Sequence, residues 1–528
     1  MTSPMTTNIE QKMNPELMIE LKKSLLDIEN PIWITRKSNG VSLEIHPGSA
    51  ILDPVEDKCY IPSIPIEKLG NPSFRSQYGT SFAYYVGAMA NGIASEKMVI
   101  TLGKAGFIGS FGAAGLSPSR LESAIQNIQK ELPDGPYTFN LINSPQDPTL
   151  EQKVVQLYLK YKITVIEASA YLDVTPGLVL YRVSGLSQNS GGEIQIGNHV
   201  IAKISRKEVA IKFLSPAPEK ILNQLLQDRQ ITREQANLAA RVPMADDITV
   251  EADSGGHTDN RPLVSLLPTM LALRNETQNK YHFMQSVRVG AAGGISTPHA
   301  ALAAFMLGAD FIVTGSVNQA CIEAGTSDHT RNLLAQADMA DVTMAPSADM
   351  FEMGVKVQVL KRGTLFPMRA AKLYETYNRY ESVEDIPTEE REKLEKQIFK
   401  FSLDEIWQET VNFFTERDPS QLERAAAYPK HKMALIFRWY LGLSSRWSNA
   451  GENGREMDYQ IWCGPSMGAF NDWVRGTHLE IPANRKVVDV ALHILTGCAY
   501  LYRVQTLKLQ GVSVPLELEN YSPAAPLS

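Results

Sequence analysis

The residues best able to do chemistry lie between Asp246 and Gln319. In Glu251-Ala-Asp-Ser-Gly-Gly-His257, two carboxylates and a histidine surround the pair Gly255-Gly256. Histidine titrates near neutrality, so His257 can donate a hydrogen bond to a carbonyl or move a proton. Glu251 and Asp253 are two positions apart and share a face if the strand continues through both. A second run, Val287-Arg-Val-Gly-Ala-Ala-Gly-Gly-Ile-Ser-Thr-Pro298, ends in Gly293-Gly294, where the missing Cβ lets a ligand approach the amides. Ser296 or Thr297 can cap the next helix and Pro298 suits its first turn, so unpaired N–H groups point at that gap. A third run, Asp310-Phe-Ile-Val-Thr-Gly-Ser-Val-Asn-Gln319, ends in Gly315-Ser316 and opens another helix. A lone Gly-Gly is more often a turn. Two such helix starts on neighbouring strands form a phosphate grip of the kind found late in an eight-stranded α/β barrel.

The elements that must position these residues follow a strand-then-helix order. Expected strands are 82–87, 107–111, 137–142, 163–167, 200–204, 248–251, 287–290 and 311–314, with helices at 95–104, 118–131, 150–161, 261–282 and 298–307. Eight strands with helical crossovers predict an α/β fold, a (β/α)8 TIM barrel over residues 76–340. Between strands five and six an insertion at about 206–245 carries helices 219–228 and 233–241, expected as a lid. The Gly- and Ser-rich stretch 185–197 suggests a small hairpin. A doubly wound nucleotide fold is disfavoured, because neither glycine run at 103–109 or 109–115 has the Gly-x-Gly-x-x-Gly spacing, and there is no Walker motif. Residues 1–75 read as an accessory segment with a helix at 15–27, strands at 32–35 and 41–45, and a proline-marked connection. Residues 341–528 read as an additional C-terminal helical domain, holding five of the six tryptophans. Its basic run Lys430-His431-Lys432, with Arg438, fits either an ordinary exposed helix or a surface for an acidic partner.

Bulk composition narrows the classes. The chain has 528 residues, 44% of them apolar, and a formal charge of −7, which disfavours nucleic acid as partner. Cys59, Cys321, Cys463 and Cys498 are scattered, so neither a disulfide framework nor a zinc site is expected. No His, Cys and carboxylate set has convincing metal-ligand spacing. Residues 1–13 are polar and lack the pattern of a signal peptide, which makes the cytoplasm the expected compartment. The long apolar segment 300–317 is broken by Asp310 and glycines, as a helix plus buried strand rather than a membrane span.

Glu251-Ala-Asp-Ser-Gly-Gly-His-Thr-Asp, Gly290-Ala-Ala-Gly-Gly-Ile and Thr314-Gly-Ser-Val-Asn-Gln-Ala together resemble the FMN-dependent barrels of nitronate monooxygenases and FabK-type enoyl reductases. The run from Asp341 to Thr364, Pro429-Lys-His-Lys-Met-Ala-Leu and Trp462-Cys-Gly-Pro-Ser-Met-Gly-Ala-Phe-Asn resemble the PfaD branch. Those are stand-alone enoyl reductases of polyunsaturated fatty acid and polyketide synthases. The resemblance covers roughly residues 33–503 and implies FMN at the C-terminal rim of the barrel, with NADPH or NADH as hydride donor. It places Ala88 and Met89 against the isoalloxazine, Asn140 near it, Lys203 reaching the cofactor, Gly255 and Gly256 beside it, and His257 adjacent. It puts Gly293, Gly294, Gly315 and Ser316 on the phosphate. Where many relatives continue Gly-Thr-x-Phe, this chain has Gly315-Ser316-Val317-Asn318, which offers the Asn318 amide to the substrate side.

The implied reaction is trans-acting reduction of an α,β-unsaturated thioester on an acyl carrier protein, an acidic partner that raises the interest of the Lys430–Arg438 patch. His257, Lys203 and Asn318 are the candidate catalytic residues. Lys203 either sets a cation by the flavin or forms a structural ion pair with Glu251 or Asp253. Two other readings are a nitronate-oxidising flavoprotein and an FMN-holding isomerase or docking protein. A homodimer is compatible with all three.

Overall fold

The computed structural model describes residues 15–36, 43–47, 58–144 and 148–528. The polar start 1–13 and the stretch around Pro54 lie outside the described residues. Eight parallel strands close a barrel: β1 (Tyr84–Val86), β2 (Ile108–Phe111), β3 (Thr138–Ile142), β4 (Val165–Ser169), β5 (His199–Ile204), β6 (Asp247–Glu251), β7 (Arg288–Ala292) and β8 (Ile312–Thr314), with β8 pairing β1. Their two-residue alternation sends Tyr85, Ile108, Val165, Ile201 and Val313 into the barrel and Tyr84, Phe139, Val200 and Ile312 against the helices. Every expected strand is present, shifted by one or two residues. The suspected hairpin also forms, pairing Leu186–Gln188 with Ile194–Ile196.

The barrel has a floor supplied from before residue 76. Helix Pro72–Tyr78 is capped by Asn71, whose side chain accepts from Ser73 N, and buries Phe74 and Tyr78 in the barrel interior. Phe74 stacks on Phe311 at 4.4 Å between ring centres. The Tyr78 hydroxyl donates to Asp247, which also binds Arg288 at 2.6 and 2.7 Å. This bidentate buried pair closes the N-terminal end of the strands, so part of the expected accessory segment belongs to the barrel.

The inserted helices are not a lid. Helix Lys207–Leu214 is the crossover after β5, and helices Glu219–Gln227 and Arg233–Ala239 come after it, on the return to β6. That connection runs past the N-terminal ends of the strands. Gln235 Nε2 there donates to the Ser184 carbonyl, at the close of the preceding crossover helix (3.1 Å). The reason is order in the chain: within a barrel repeat the residues between a strand and its helix lie at the C-terminal rim, whereas those after the helix return to the N-terminal end of the next strand.

The C-terminal region 341–528 is largely helical, as expected, but its packing divides between two cores. Strands β9 (Val342–Pro346) and β10 (Lys356–Leu360) form an antiparallel hairpin, and with helices Phe366–Arg379, Leu403–Arg417 and Pro429–Ala450 they bury a separate core around Phe351, Phe366, Phe399, Phe437 and Tyr440. From Tyr459 onward the chain rejoins the barrel core through Ile461, Cys463, Met467 and Phe470. Helix Val487–Leu509 then lies on helix Pro298–Met306 so closely that a Cβ on Gly497 would sit 2.4 Å from the Pro298 ring. Its far end packs on Leu21, Leu25, Ile32 and Ile61. By length and composition this helix could cross a membrane, but 83% of its most apolar window is buried in the protein, as in a core helix.

Candidate active site at the barrel rim

On the β7–β8 side the rim is backbone. Gly293 and Gly294 have φ of +80° and +77°, a region that side chains disfavour. A Cβ on Gly293 would strike the Ala252 backbone at 2.6 Å, whereas one on Gly294 or Gly315 would meet nothing within 4 Å. The first glycine is required by packing against the end of β6, and the other two face open space. Among the described residues, the amides of Gly294, Gly315 and Ser316 donate to no protein acceptor. Helix Pro298–Met306 starts at Thr297, whose hydroxyl accepts from Ala300 N. Ser296 Oγ is buried without a partner among the described residues. Unpaired amides, an open gap and an orphan hydroxyl suit an anion. The second helix start is weaker than expected, since Ser316–Gln319 is a single turn.

On the β4–β6 side the rim is charge. Lys203 Nζ lies 3.2 Å from Glu251 Oε1 and 3.8 Å from Glu167 Oε1. Burial opposes the Lys203 charge, but the Glu251 and Glu167 carboxylates outweigh it and raise the amine above its ordinary range. Glu167 is fully buried; its Oε2 accepts from Ala88 N (2.9 Å) and from the Tyr85 hydroxyl. It thereby fixes the backbone at the end of β1 that leads to Met89. The Met89 carbonyl is pressed from behind by Gly112, where a Cβ would lie 1.7 Å from it. Asn140 Nδ2 donates to Glu167 O (3.1 Å) and Ser169 Oγ (2.9 Å). Beside Lys203 in register, Thr249 keeps a buried hydroxyl without a partner.

His257 stands at the outer lip and depends on the second core. Gly256 and His257 add a short third strand to the hairpin, opposite Gln358 and Val357. Gln358 Nε2 also binds Asp253 (2.9 Å) and Ser254 O (2.8 Å), holding the signature loop. His257 Nε2 meets Asp349 Oδ1 at 3.2 Å, and the ring is half-exposed. Burial pulls the ring toward its neutral form, yet the Asp349 hydrogen bond and charge prevail and raise its pKa. From the other side, loop Trp462–Pro465 seats on the glycines: a Cβ on Gly255 would lie 2.9 Å from Cys463 N, and Gly464 N donates to Ser316 Oγ (3.1 Å).

Of the alternatives for Lys203, the pair with Glu251 forms and that with Asp253 does not. Asn318 does not face the substrate side. It is fully buried, and its amide donates to Thr314 Oγ1 (2.8 Å), which in turn bonds the Tyr84 hydroxyl in the layer between barrel and helices. The basic run is likewise internally used. Lys430 binds the Tyr377 and Tyr380 carbonyls, Lys432 pairs with Glu384 at 2.8 Å, Arg438 pairs with Glu352 at 3.3 Å, and His431 is buried. Sequence reasoning missed Glu167 and Asp349 as site residues. The inward-facing glutamate at the end of a barrel strand was a usable signal for the first; nothing local marked the second.

The nitronate monooxygenase family matches residues 80–399, and the inserted helical domain of [acyl-carrier-protein] S-malonyltransferase matches residues 380–459. The chain is 47% identical over 524 residues to a polyunsaturated fatty acid synthase polypeptide of Thraustochytrium, covering 98% of this chain and 34% of that protein. It is 48% identical over 439 residues to polyketide biosynthesis protein PksE of Bacillus subtilis, covering 83% of this chain and 57% of the relative. It thus spans about a third to just over half of the length of these relatives. The crystal structure of the enoyl reductase domain of MlnA, from the macrolactin cluster of Bacillus amyloliquefaciens, superposes with a TM-score of 0.80 at 40% identity, covering 84% of this chain and all of that one. Fold, motifs and these matches agree that the chain belongs to the nitronate monooxygenase family of oxidoreductase barrels, in the PfaD-like branch associated with polyketide and polyunsaturated fatty acid synthases.

Proposed function

We propose that the chain is an FMN-dependent enoyl reductase that saturates α,β-unsaturated acyl thioesters on acyl carrier proteins, with NADPH or NADH as electron source. The observation that carries this reading is the divided rim, with an anion-ready backbone gap on one side and a charged lysine on the other. FMN, when bound, supplies the two-electron relay from the nicotinamide to the substrate β-carbon. The amides of Gly294, Gly315 and Ser316 would hold its phosphate, with the orphan Ser296 hydroxyl close in sequence. Lys203, kept protonated by Glu251 and Glu167, would place positive charge at the mouth, with Ala88, Met89 and Asn140 on the rim around it.

His257, whose pKa Asp349 raises, would in its protonated form donate a hydrogen bond to the thioester carbonyl or give the α-carbon its proton. The half-exposed position suits a substrate that arrives on a long arm from another protein. The relatives' synthase names and the malonyltransferase-like helical match at residues 380–459 support a carrier-protein partner. The paired state of Lys430, Lys432 and Arg438 argues for docking elsewhere.

The family match also favours a second reading, nitronate oxidation. FMN-loaded protein should bleach with NADPH under anaerobic conditions and recover its colour on adding a crotonyl-carrier thioester. Recovery only with oxygen and a nitroalkane would select the second reading, and absence of bleaching would reject both reductase steps.

A further inference from the structure

Away from the rim, His478, Asp489 and His493 converge where the last long helix meets the chain beyond Tyr521. Asp489 and His493 are one turn apart on helix Val487–Leu509, and His478 begins the turn His478–Glu480. His478 Nε2 lies 2.8 Å from Asp489 Oδ2, and His493 Nε2 lies 3.6 Å from Asp489 Oδ1. The ligating atoms of all three fall within 4.8 Å of one another. Side-chain exposures of 14%, 2% and 1% put the cluster inside the protein.

The remaining nitrogens are already committed. His478 Nδ1 lies 2.9 Å from the Pro523 carbonyl, which only accepts, so that nitrogen carries a proton. A neutral His478 therefore turns the lone pair of Nε2 toward a carboxylate oxygen. Those two acceptors stay together only if the ring is doubly protonated or a cation stands between them. His493 Nδ1 is 2.8 Å from the Tyr521 hydroxyl, and its buried Nε2, beside the Ala525 backbone, makes no well-formed hydrogen bond among the described residues. Asp489 Oδ1 also accepts from Leu527 N at 2.6 Å, so the chain end is tied to the same point.

We propose that His478 Nε2, His493 Nε2 and Asp489 bind one divalent transition ion of the zinc class. Zinc–ligand bonds of about 2.0–2.2 Å place ligand atoms roughly 3.3 Å apart in a tetrahedron, between the two separations seen here. The Pro523 carbonyl and the Tyr521 hydroxyl on the Nδ1 atoms are the outer partners that orient metal-bound imidazoles. Water completes the set on the side of His478, the more exposed ligand. The ion is structural. It pins the His478 turn and the segment Tyr521–Leu527 to the helix that braces Pro298, behind the phosphate gap. The ligand spacings, eleven residues and then four, match no compact zinc motif, so the sequence pattern gave no reason to expect it.

The alternative is a metal-free imidazolium–carboxylate network. The test uses the full chain without a polyhistidine tag, stripped with chelator and then dialysed against zinc chloride or cobalt chloride. About one zinc per chain should survive dialysis and raise Tm, and cobalt should give the visible absorption of a four-coordinate site. His478→Gln and His493→Gln should each lose the metal and the Tm increment while keeping the wild-type flavin-to-protein ratio. If a variant fails to fold, the cobalt spectrum of the wild type decides. No zinc uptake and no cobalt absorption by the stripped wild type, or full uptake by the double variant, would overturn the proposal.

Discussion

The two sides of the rim are built on different principles. The β7–β8 side relies on what is missing: no Cβ at Gly294 or Gly315, and no acceptor among the described residues for three amides. The β4–β6 side is crowded, with Lys203 between two carboxylates and His257 against a third. On the proposed function, the contrast separates holding from reacting. A backbone grip costs little to maintain and binds an anion whatever the pH. A set of paired charges tolerates substitution poorly, and its action depends on which groups carry protons.

The sharpest break of this contrast is Gly294→Val. A β-branched residue at φ +77° adds roughly 1–3 kcal/mol of backbone strain and fills the open gap. Nearly all bound flavin should be lost, read as the visible-to-ultraviolet absorbance ratio, with circular dichroism unchanged. A fully yellow variant would contradict the assignment of the gap.

On the charged side, Lys203→Met leaves the buried Glu167 and the partly exposed Glu251 facing each other and should destabilise the fold by about 3 kcal/mol in denaturant unfolding. Adding Glu251→Gln should recover part of that loss; no recovery would mean the ion cluster is not what Lys203 stabilises. His257→Gln should keep flavin and bleaching by NADPH but slow thioester reduction by about 100-fold.

Asp349→Asn acts through His257 and has a signed pH effect. Asp349 raises the folded-state pKa of His257, so the protonated ring persists to higher pH in the wild type. The stability this pair contributes is complete below the ordinary histidine value and is lost as pH rises through the folded value. Activity of the variant should therefore fall off at lower pH than that of the wild type, with flavin content unchanged; superimposable profiles would remove Asp349 from the positioning role. The smallest effect is expected from Lys432→Ala, whose charge is already taken by Glu384 and the Trp407 ring. Its KM for a carrier-bound thioester should change less than about twofold, and a large rise would restore the basic run as a docking surface.

The same contrast explains what was legible in the sequence. All eight strands and the open glycine backbone after β7 were readable, because β-branched runs and Gly-Gly-x-Ser-Thr-Pro are local signals whose meaning depends on the backbone. The charged side was only half readable. Lys203 and His257 sit in recognisable runs, but Asp349 comes from 92 positions away, on a hairpin that nothing before it announces. Asn318 misled because a polar residue after Gly-Ser looks like part of the rim; a single helical turn instead carries its amide back onto Thr314. The inserted helices misled for a topological reason, since their place after the crossover helix sends them to the opposite end of the barrel. The C-terminal region misled through composition: tryptophans signalled apolar packing but not that the chain from Tyr459 onward returns to the barrel.

The most direct test of the divided rim is a crystal structure of the FMN-loaded chain. The phosphate oxygens should lie within hydrogen-bond distance of the Gly294, Gly315 and Ser316 amides, with the ring system extending toward Lys203. A phosphate bound to Lys203, or an empty gap beside Gly294 in a fully yellow crystal, would contradict it.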